Sequence, residues 1–265
     1  VLVFFAGSWD SLARGQRIAV LLVATVALGA AAIALVFSGG GVAAVRPPRQ
    51  PVRRRLGSVL VAGTAWALGF GVVIALSPQS GVDSAWPLVA GSGVALVVAV
   101  LGYLALPTVL AQLAIAAAAM VVVASGVSAV ADDGTTAVGL LYLALGLAWL
   151  GMAETGTWRE PAAGRVLGCI LAVVGAQLPG LQSAPLGYVL TGMAAVVAFG
   201  IYAVRPKWPY LAAGVVGLTL AVPEALHDLV PGSMGAAGAL LMAGVTLLLA
   251  SLLGLRLRKE VADAR

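Results

Sequence analysis

Three polar side chains near the ends of two apolar segments have the types and spacing to bind a ligand. Gln177 lies just before Pro179, and Glu224 follows Pro223 at the end of a later segment. His227 is three residues beyond Glu224, so the two share one face of a helix. The pattern predicts a small vestibule lined by Gln177, Glu224 and His227 at the outer face of a membrane. The alternative is that the three side chains only cap helix ends at the water interface.

The charges and prolines at these positions are the reason for the ligand-binding hypothesis. An ionisable side chain within an apolar span marks a ligand or proton site by default. Proline lacks an N–H, so within a span it leaves a backbone carbonyl that other groups must satisfy. Broken helices of this kind often lie at the binding site of secondary transporters. Gln177, Glu224 and His227 are therefore candidate ligand-binding residues of a transporter-like protein.

Catalytic and metal-binding signatures are scarce. His227 is the one histidine and Cys169 the one cysteine, which excludes a His-rich metal site, a pair of haem histidines and an intrachain disulfide. No phosphate-binding G-x-x-x-x-G-K-[ST] motif occurs. A Ser92–His227 dyad and a cation site at Asp132 and Asp133 are remote alternatives. We predict no catalytic residues, no metal and no cofactor, and an enzymatic role is disfavoured.

The composition indicates what kind of structure must position these residues. Of the 265 residues, 62% are hydrophobic and only 9% are charged, and the mean hydropathy is +1.08. An average soluble domain has about 25% charged residues to cover its surface, and a disordered chain is poor in apolar residues. Both classes are excluded, and residues 1–265 are predicted to form a single integral membrane domain.

Nine segments are long and apolar enough to cross a bilayer as helices, which takes about 20 residues each. They lie near 17–37, 57–76, 87–106, 108–130, 135–153, 164–182, 185–204, 209–227 and 235–257. The uncharged stretch 87–130 would be roughly 66 Å long as one helix, about twice the hydrocarbon thickness, so we predict a turn at Pro107. The predicted fold class is an all-α transmembrane bundle of about nine full spans.

The first residues look like part of a further span. Residues 1–7 are apolar and too few for a signal peptide. The chain begins at Val1 rather than at Met, so we expect further residues to precede it.

The basic residues indicate an orientation. All of them except Arg14 and Arg17 fall in alternate loops and in the C-terminal tail. Positive loops face the cytoplasm, so we predict a multi-pass membrane protein with a cytoplasmic C-terminus. The segment 38–56 is then a basic cytoplasmic linker, and Glu154 is an interfacial charge on the same side. The net charge of +5 is explained as a topology signal, and no nucleic-acid partner is expected.

Small residues at helical spacing favour a different function. Close van der Waals contact holds helices together in lipid, and small residues permit it. Such residues include Ala213, Gly217, Gly235, Ala239, Ala243 and Gly254. They favour a non-catalytic scaffold or subunit that assembles with the same or another membrane protein. A polar cavity reaching mid-membrane would favour the transporter, and a solid apolar bundle would favour the scaffold.

The N-terminal stretch from Val3 to Leu12, with Arg17 before a long Ala/Leu/Val helix, resembles a family of bacterial membrane proteins. The shared pattern is an apolar helix end, the pair Trp9-Asp10, a short polar turn and an arginine before the next span. The family is called domain of unknown function 2157, and the resemblance covers about the first 75 residues. It implies a polytopic inner-membrane protein and transfers no catalytic residue.

Overall fold

The structure, a computed structural model, describes residues 9, 11–42, 51–77, 85–131 and 134–229, together with a few positions between 238 and 256. Contacts divide the chain into two compact units, Val1–Asp132 and Asp133–Arg265, each with its own set of helix pairs. The single membrane domain over 1–265 stays a prediction.

Every element in the described ranges is helical, and no strand occurs in them. Within these ranges, eight helices are long and apolar enough to cross a membrane. A helix satisfies its own backbone hydrogen bonds, as a segment in hydrocarbon must. The predicted all-α, multi-pass membrane fold is confirmed. The count of nine spans is not, because the segment 235–257 lies mostly outside the described residues, as do residues 1–7.

The described part of the first unit includes the helices α1 (Arg14–Ser38), α2 (Pro51–Leu76), α3 (Trp86–Ala105) and α4 (Val109–Ser128). Consecutive helices pack together, and α2 also contacts α4. The turn predicted at Pro107 is confirmed, since α3 ends before it and Thr108 caps α4 by accepting a hydrogen bond from the Ala111 N–H at 3.1 Å. Because α2 begins at Pro51, the end of the predicted 38–56 linker is helical.

The two arginines outside the basic loops bind backbone carbonyls. Arg14 donates from Nε to the carbonyl of Ile74 at 3.1 Å and from Nη2 to that of Ala75 at 2.7 Å. It thereby satisfies carbonyls at the C-terminal end of α2 that have no helical partner. Arg17 donates to the carbonyl of Leu12 at 3.0 Å. Both residues therefore have a local structural role.

The second unit contains α5 (Thr135–Glu154), α6 (Pro161–Gln177), a 3₁₀ turn (Leu178–Leu181), α7 (Ala184–Val204) and α8 (Trp208–Leu229). Helix α5 packs along α6, and α7 packs along α8, while α6 contacts both α7 and α8. Short connections make consecutive helices antiparallel. The end of α5 therefore meets the start of α6 at what we call the Glu154 end of the unit. The 3₁₀ turn and the last turns of α8 lie at the opposite end, the Gln177 end.

Glycines bring α5 and α6 into backbone contact. A methyl group added at Gly146 would lie 2.5 Å from the Ala172 nitrogen and 2.8 Å from the Gly168 carbonyl oxygen. One added at Gly175 would overlap the backbone nitrogen of Leu143. Neither position has room for a side chain, and the close approach gives the van der Waals contact that holds helices together in lipid.

Among the small-residue contacts predicted from the sequence, the one at Gly217 is confirmed. A methyl group at this position of α8 would lie 2.9 Å from Cβ of Ala195 on α7. The predicted contacts of the last segment fall on Gly235, Ala239, Ala243 and Gly254, which lie outside the described residues.

Candidate functional site

The sixth predicted span is interrupted, and this break positions the candidate site. Helix α6 stops at Gln177, and a 3₁₀ turn carrying Pro179 leads toward α7. Pro179 is buried against α5, where a methyl group at Gly139 would lie 2.5 Å from its Cδ. The turn is therefore fixed against α5. Pro223 differs, because α8 continues through it to Leu229.

Gln177 connects a buried hydroxyl to an exposed carboxylate. Thr191 of α7 is fully buried and donates its hydroxyl hydrogen to Gln177 Oε1 at 2.7 Å. The amide Nε2 of Gln177 in turn donates to Oε1 of Glu224 on α8. Glu224 is exposed. The side chain of Gln177 thus has a fixed orientation, with its amide nitrogen directed at the carboxylate.

A cavity of about 480 Å³ opens beside Gln177 and Glu224. The rest of its wall is apolar and includes Val173 from α6 and Leu220 from α8. A second, mainly apolar cavity of about 430 Å³ shares these two side chains and extends along α6 and α8 to Trp208. Ligand pockets commonly measure about 300–1,000 Å³ and combine apolar walls with a few polar groups. This pair of cavities could hold an apolar ligand whose polar group lies near Glu224.

His227 is not part of this network. It is exposed on α8 and makes no hydrogen bond to another residue of the described chain. Its neighbour Asp228 accepts a hydrogen bond from the Tyr188 hydroxyl at 3.3 Å. The structure therefore brings Gln177 and Glu224 together, as the sequence predicts, and leaves His227 one turn away. The sequence analysis did not identify Thr191 as part of the site. The available signal was that Thr191 is a polar residue within an apolar span.

A second group of polar side chains meets at the Glu154 end. Oε1 of Glu154 accepts hydrogen bonds from Arg165 Nε at 2.6 Å and from the Tyr210 hydroxyl at 2.7 Å. Oε2 accepts from Arg205 Nη1 at 2.7 Å and from Lys207 Nζ at 2.9 Å. We call these five residues the Glu154 cluster. They join the end of α5, the first turns of α6, the α7–α8 connection and the start of α8.

The Glu154 cluster contains one carboxylate and three cations, and therefore carries two net positive charges. The side chains of Glu154 and Arg165 are 18% and 16% exposed, whereas those of Lys207 and Arg205 are 36% and 56% exposed. The Arg165 pair is thus the more shielded from water. The sequence interpretation of Glu154 as an interfacial charge missed this convergence, although the antiparallel order of the spans places all five residues at one end.

The remaining polar motifs have structural partners or lie outside the described residues. Ser92 donates its hydroxyl hydrogen to the Leu88 carbonyl at 2.6 Å, within its own helix. Gln112 of α4 is fully buried and donates to the Tyr103 hydroxyl at 3.4 Å. Among the residues that the structure describes, no group of three His, Cys, Asp or Glu side chains could hold a metal ion. Asp132 and Asp133 are outside those ranges.

No protein-family model, no curated protein and no solved structure matches the chain. The resemblance to domain of unknown function 2157 stays a prediction.

Proposed function

We propose that this multi-pass membrane protein is a transporter-like protein for a small molecule, lipid or ion, with Gln177, Glu224 and His227 as its ligand-binding residues. The observation that carries the proposal is the contact between Gln177 and Glu224, which lie 47 residues apart in the chain. It sits at a helix break beside a cavity of about 480 Å³. Helix breaks of this kind position ligand groups in transporters.

The charge at this site favours a cationic ligand. Glu224 has no ion-pair partner in the part of the chain that the structure describes, in contrast to Glu154, which pairs with three cations. A small organic cation with an apolar body would place its charge at Glu224 and its body against Val173 and Leu220. His227 lies one turn beyond Glu224 on the same helix, within reach of a ligand that projects from the cavity.

Ethidium, a flat organic cation, is a suitable probe. Its binding to the purified full chain is measured by fluorescence anisotropy, and its uptake is measured in liposomes containing the protein. Glu224→Gln keeps the shape and removes the charge, so we expect about fivefold weaker binding, the upper range for one exposed ion pair. Asp228→Asn is the matched control, because Asp228 is exposed in the same turn and does not line the cavity.

Two results with these variants would contradict the ligand-binding proposal. Ethidium binding or uptake that survives both Glu224→Gln and His227→Ala would refute it. Equal losses in Glu224→Gln and Asp228→Asn would also count against it, since they would reflect only the general surface charge of the Gln177 end.

The second candidate function is a non-catalytic scaffold or subunit of a larger membrane complex. The glycine contacts between α5 and α6 favour it, because they bring the two helices into direct backbone contact and leave no polar channel between them. Native mass spectrometry of the protein purified gently from its own membrane separates the two functions. A reproducible small-molecule adduct on the lone chain supports the transporter, whereas a second polypeptide at fixed stoichiometry supports the scaffold.

We propose further that the Glu154 end faces the cytoplasm of a bacterial inner membrane. Its support is the location of Arg165, Arg205 and Lys207 at this end of the second unit. In a Cys169→Ala background, Thr157→Cys and Ser183→Cys place exposed thiols at the two ends of the unit. A membrane-impermeant maleimide should label Ser183→Cys on intact cells, and Thr157→Cys only after permeabilisation. The reverse pattern would overturn the orientation.

A further inference from the structure

A groove of about 570 Å³ runs between α5 and α7 from the Glu154 cluster. Its polar end is formed by Glu154, Arg205 and Tyr210. Its walls are apolar and include Leu147, Leu150, Val197, Ile201 and Val204. We call this the α5–α7 groove. It shares several of these side chains with an apolar cavity of about 260 Å³ that extends to Leu143 and Met193.

The dimensions of the α5–α7 groove match one lipid chain. Along α5, the distance from Glu154 to Leu143 is roughly 16 Å at the helical rise of 1.5 Å per residue. The hydrocarbon core of one leaflet is about 15 Å thick. The polar end of the groove lies where α5 ends, at the depth expected for a lipid headgroup. An acyl chain could therefore extend from the polar end to the inner end of the adjoining cavity.

The charge of the Glu154 cluster favours an anionic headgroup. The cluster contains three cations and one carboxylate. The loop between α5 and α6 adds one positive charge, Arg159, and one negative charge, Glu160, so the excess of two positive charges is unchanged. Arg205 uses one guanidinium nitrogen for Glu154, and more than half of its side chain is exposed. Arginine and lysine form strong charge-assisted hydrogen bonds with phosphate, and basic pockets between membrane helices bind anionic headgroups.

We propose that the second unit binds one anionic phospholipid, with its phosphate at Arg205 and Lys207 and one acyl chain in the α5–α7 groove. A soluble anion would use the two cations and leave the apolar walls uncovered. A neutral lipid would cover the walls and leave the net charge unmatched. Of these three ligands, the anionic phospholipid is the one that is complementary to both parts. This site is at the opposite end of the unit from Gln177 and Glu224. The test of the lipid site is therefore independent of the test of the ligand site proposed there.

Gly200 offers a way to block the groove while leaving every charge in place. It lines the α5–α7 groove, and a methyl group added to it would meet no atom within 4 Å. Gly200→Leu should therefore fill the groove without a clash at Cβ. Gly93 of α3 is equally open, which makes Gly93→Leu the matched control for adding a leucine to an apolar helix.

The test uses the full chain, purified in detergent, stripped of lipid and then mixed with defined lipids. Native mass spectrometry measures the bound fraction of dioleoyl-phosphatidylglycerol and of dioleoyl-phosphatidylcholine. We expect one phosphatidylglycerol per chain to bind in preference to phosphatidylcholine. The double variant Arg205→Gln, Lys207→Gln should bind phosphatidylglycerol about 30-fold more weakly, the effect of losing two basic residues near anionic lipid. The control Arg53→Gln, Arg55→Gln removes two basic residues from the start of α2 and should have no such effect.

Three results would overturn the proposal. One is equal binding of phosphatidylglycerol and phosphatidylcholine. Another is undiminished phosphatidylglycerol binding by Gly200→Leu, a variant that keeps the Glu154 cluster intact even if the charge variants fail to fold. The third is displacement of the lipid by excess inorganic phosphate with the same efficiency in wild type and in Gly200→Leu, which would show a soluble-anion site in place of a lipid site.

Discussion

Glu154→Gln tests whether one carboxylate holds the Glu154 end of the second unit together. The substitution keeps the size of the side chain and removes its charge. The acceptor of the Arg165 hydrogen bond would then lose its negative charge, in a place where both side chains are less than one-fifth exposed. Arg205 and Lys207 would lose weaker partners, because they are more exposed. The three cations would also be left close together without a counter-charge.

The magnitude follows from these exposures. A hydrogen bond to a charged group contributes about 1.5–3 kcal/mol, which applies to the shielded Arg165 pair. Exposed ion pairs contribute about 0.2–1 kcal/mol each, which applies to Arg205 and Lys207. We therefore expect Glu154→Gln to lower the free energy of unfolding by about 2–5 kcal/mol. For a chain of this size, that corresponds to a fall in Tm of roughly 4–20 °C.

Cys169 provides the assay. It is the one cysteine of the sequence and is 8% exposed, in a buried cluster with Tyr202 and Tyr210. A thiol-reactive fluorescent dye therefore reports unfolding when this side chain becomes accessible. The control is Asp228→Asn, which removes an exposed carboxylate from the other end of the unit and should change the free energy of unfolding by less than about 0.5 kcal/mol.

Equal Tm values for wild type, Glu154→Gln and Asp228→Asn would refute the reasoning. High salt gives a further check. Salt screens the exposed Arg205 and Lys207 pairs more than the shielded Arg165 pair, so the difference between wild type and Glu154→Gln should shrink in high salt without vanishing.

Two further substitutions test the packing and the candidate site with the same Cys169 assay. Gly175→Ala adds a methyl group where the backbones of α5 and α6 touch, and it should lower the free energy of unfolding by about 1–3 kcal/mol. The control Gly93→Ala adds a methyl group in open space and should leave the free energy of unfolding nearly unchanged. Equal effects of the two substitutions would contradict the glycine contact. Thr191→Val removes the hydroxyl that donates to Gln177 and should lower the free energy of unfolding by about 0.5–1.5 kcal/mol. Combined with Gln177→Leu, its effect should be less than additive, and full additivity would show that the two side chains are not coupled.

The helices were predictable because the bilayer imposes one length and one polarity on every span. The turn at Pro107 followed from the same length limit. The contact between Gln177 and Glu224 was predictable in outline, since alternating spans place both residues at the same end of a bundle. The described ends of the helices agree with the predicted spans to within a few residues, apart from the start of α2 at Pro51 and the end of α6 at Gln177.

Two details of the sites were beyond sequence reasoning. A hydroxyl residue in an apolar helix usually bonds to a carbonyl of its own helix, as Ser92 and Thr219 do. Nothing in the sequence shows that Thr191 instead bonds to a side chain on another helix. The position of His227 outside the network depends on the rotation of α8 about its axis. The sequence does not predict this rotation, because a span with apolar residues on all sides has no distinct inward face.

The close contact of α5 and α6 has a consequence for the order in which the second unit assembles. We expect these two helices to form a hairpin before α7 is complete, because the contact between their glycines requires nothing from later residues. Of the cations in the Glu154 cluster, Arg165 is the one that belongs to this hairpin, so the newly made hairpin already contains the shielded ion pair. Arg205 and Lys207 are synthesised later and join a carboxylate that is already in place. We therefore expect the α5–α6 hairpin to form first and α7 and α8 to dock on it.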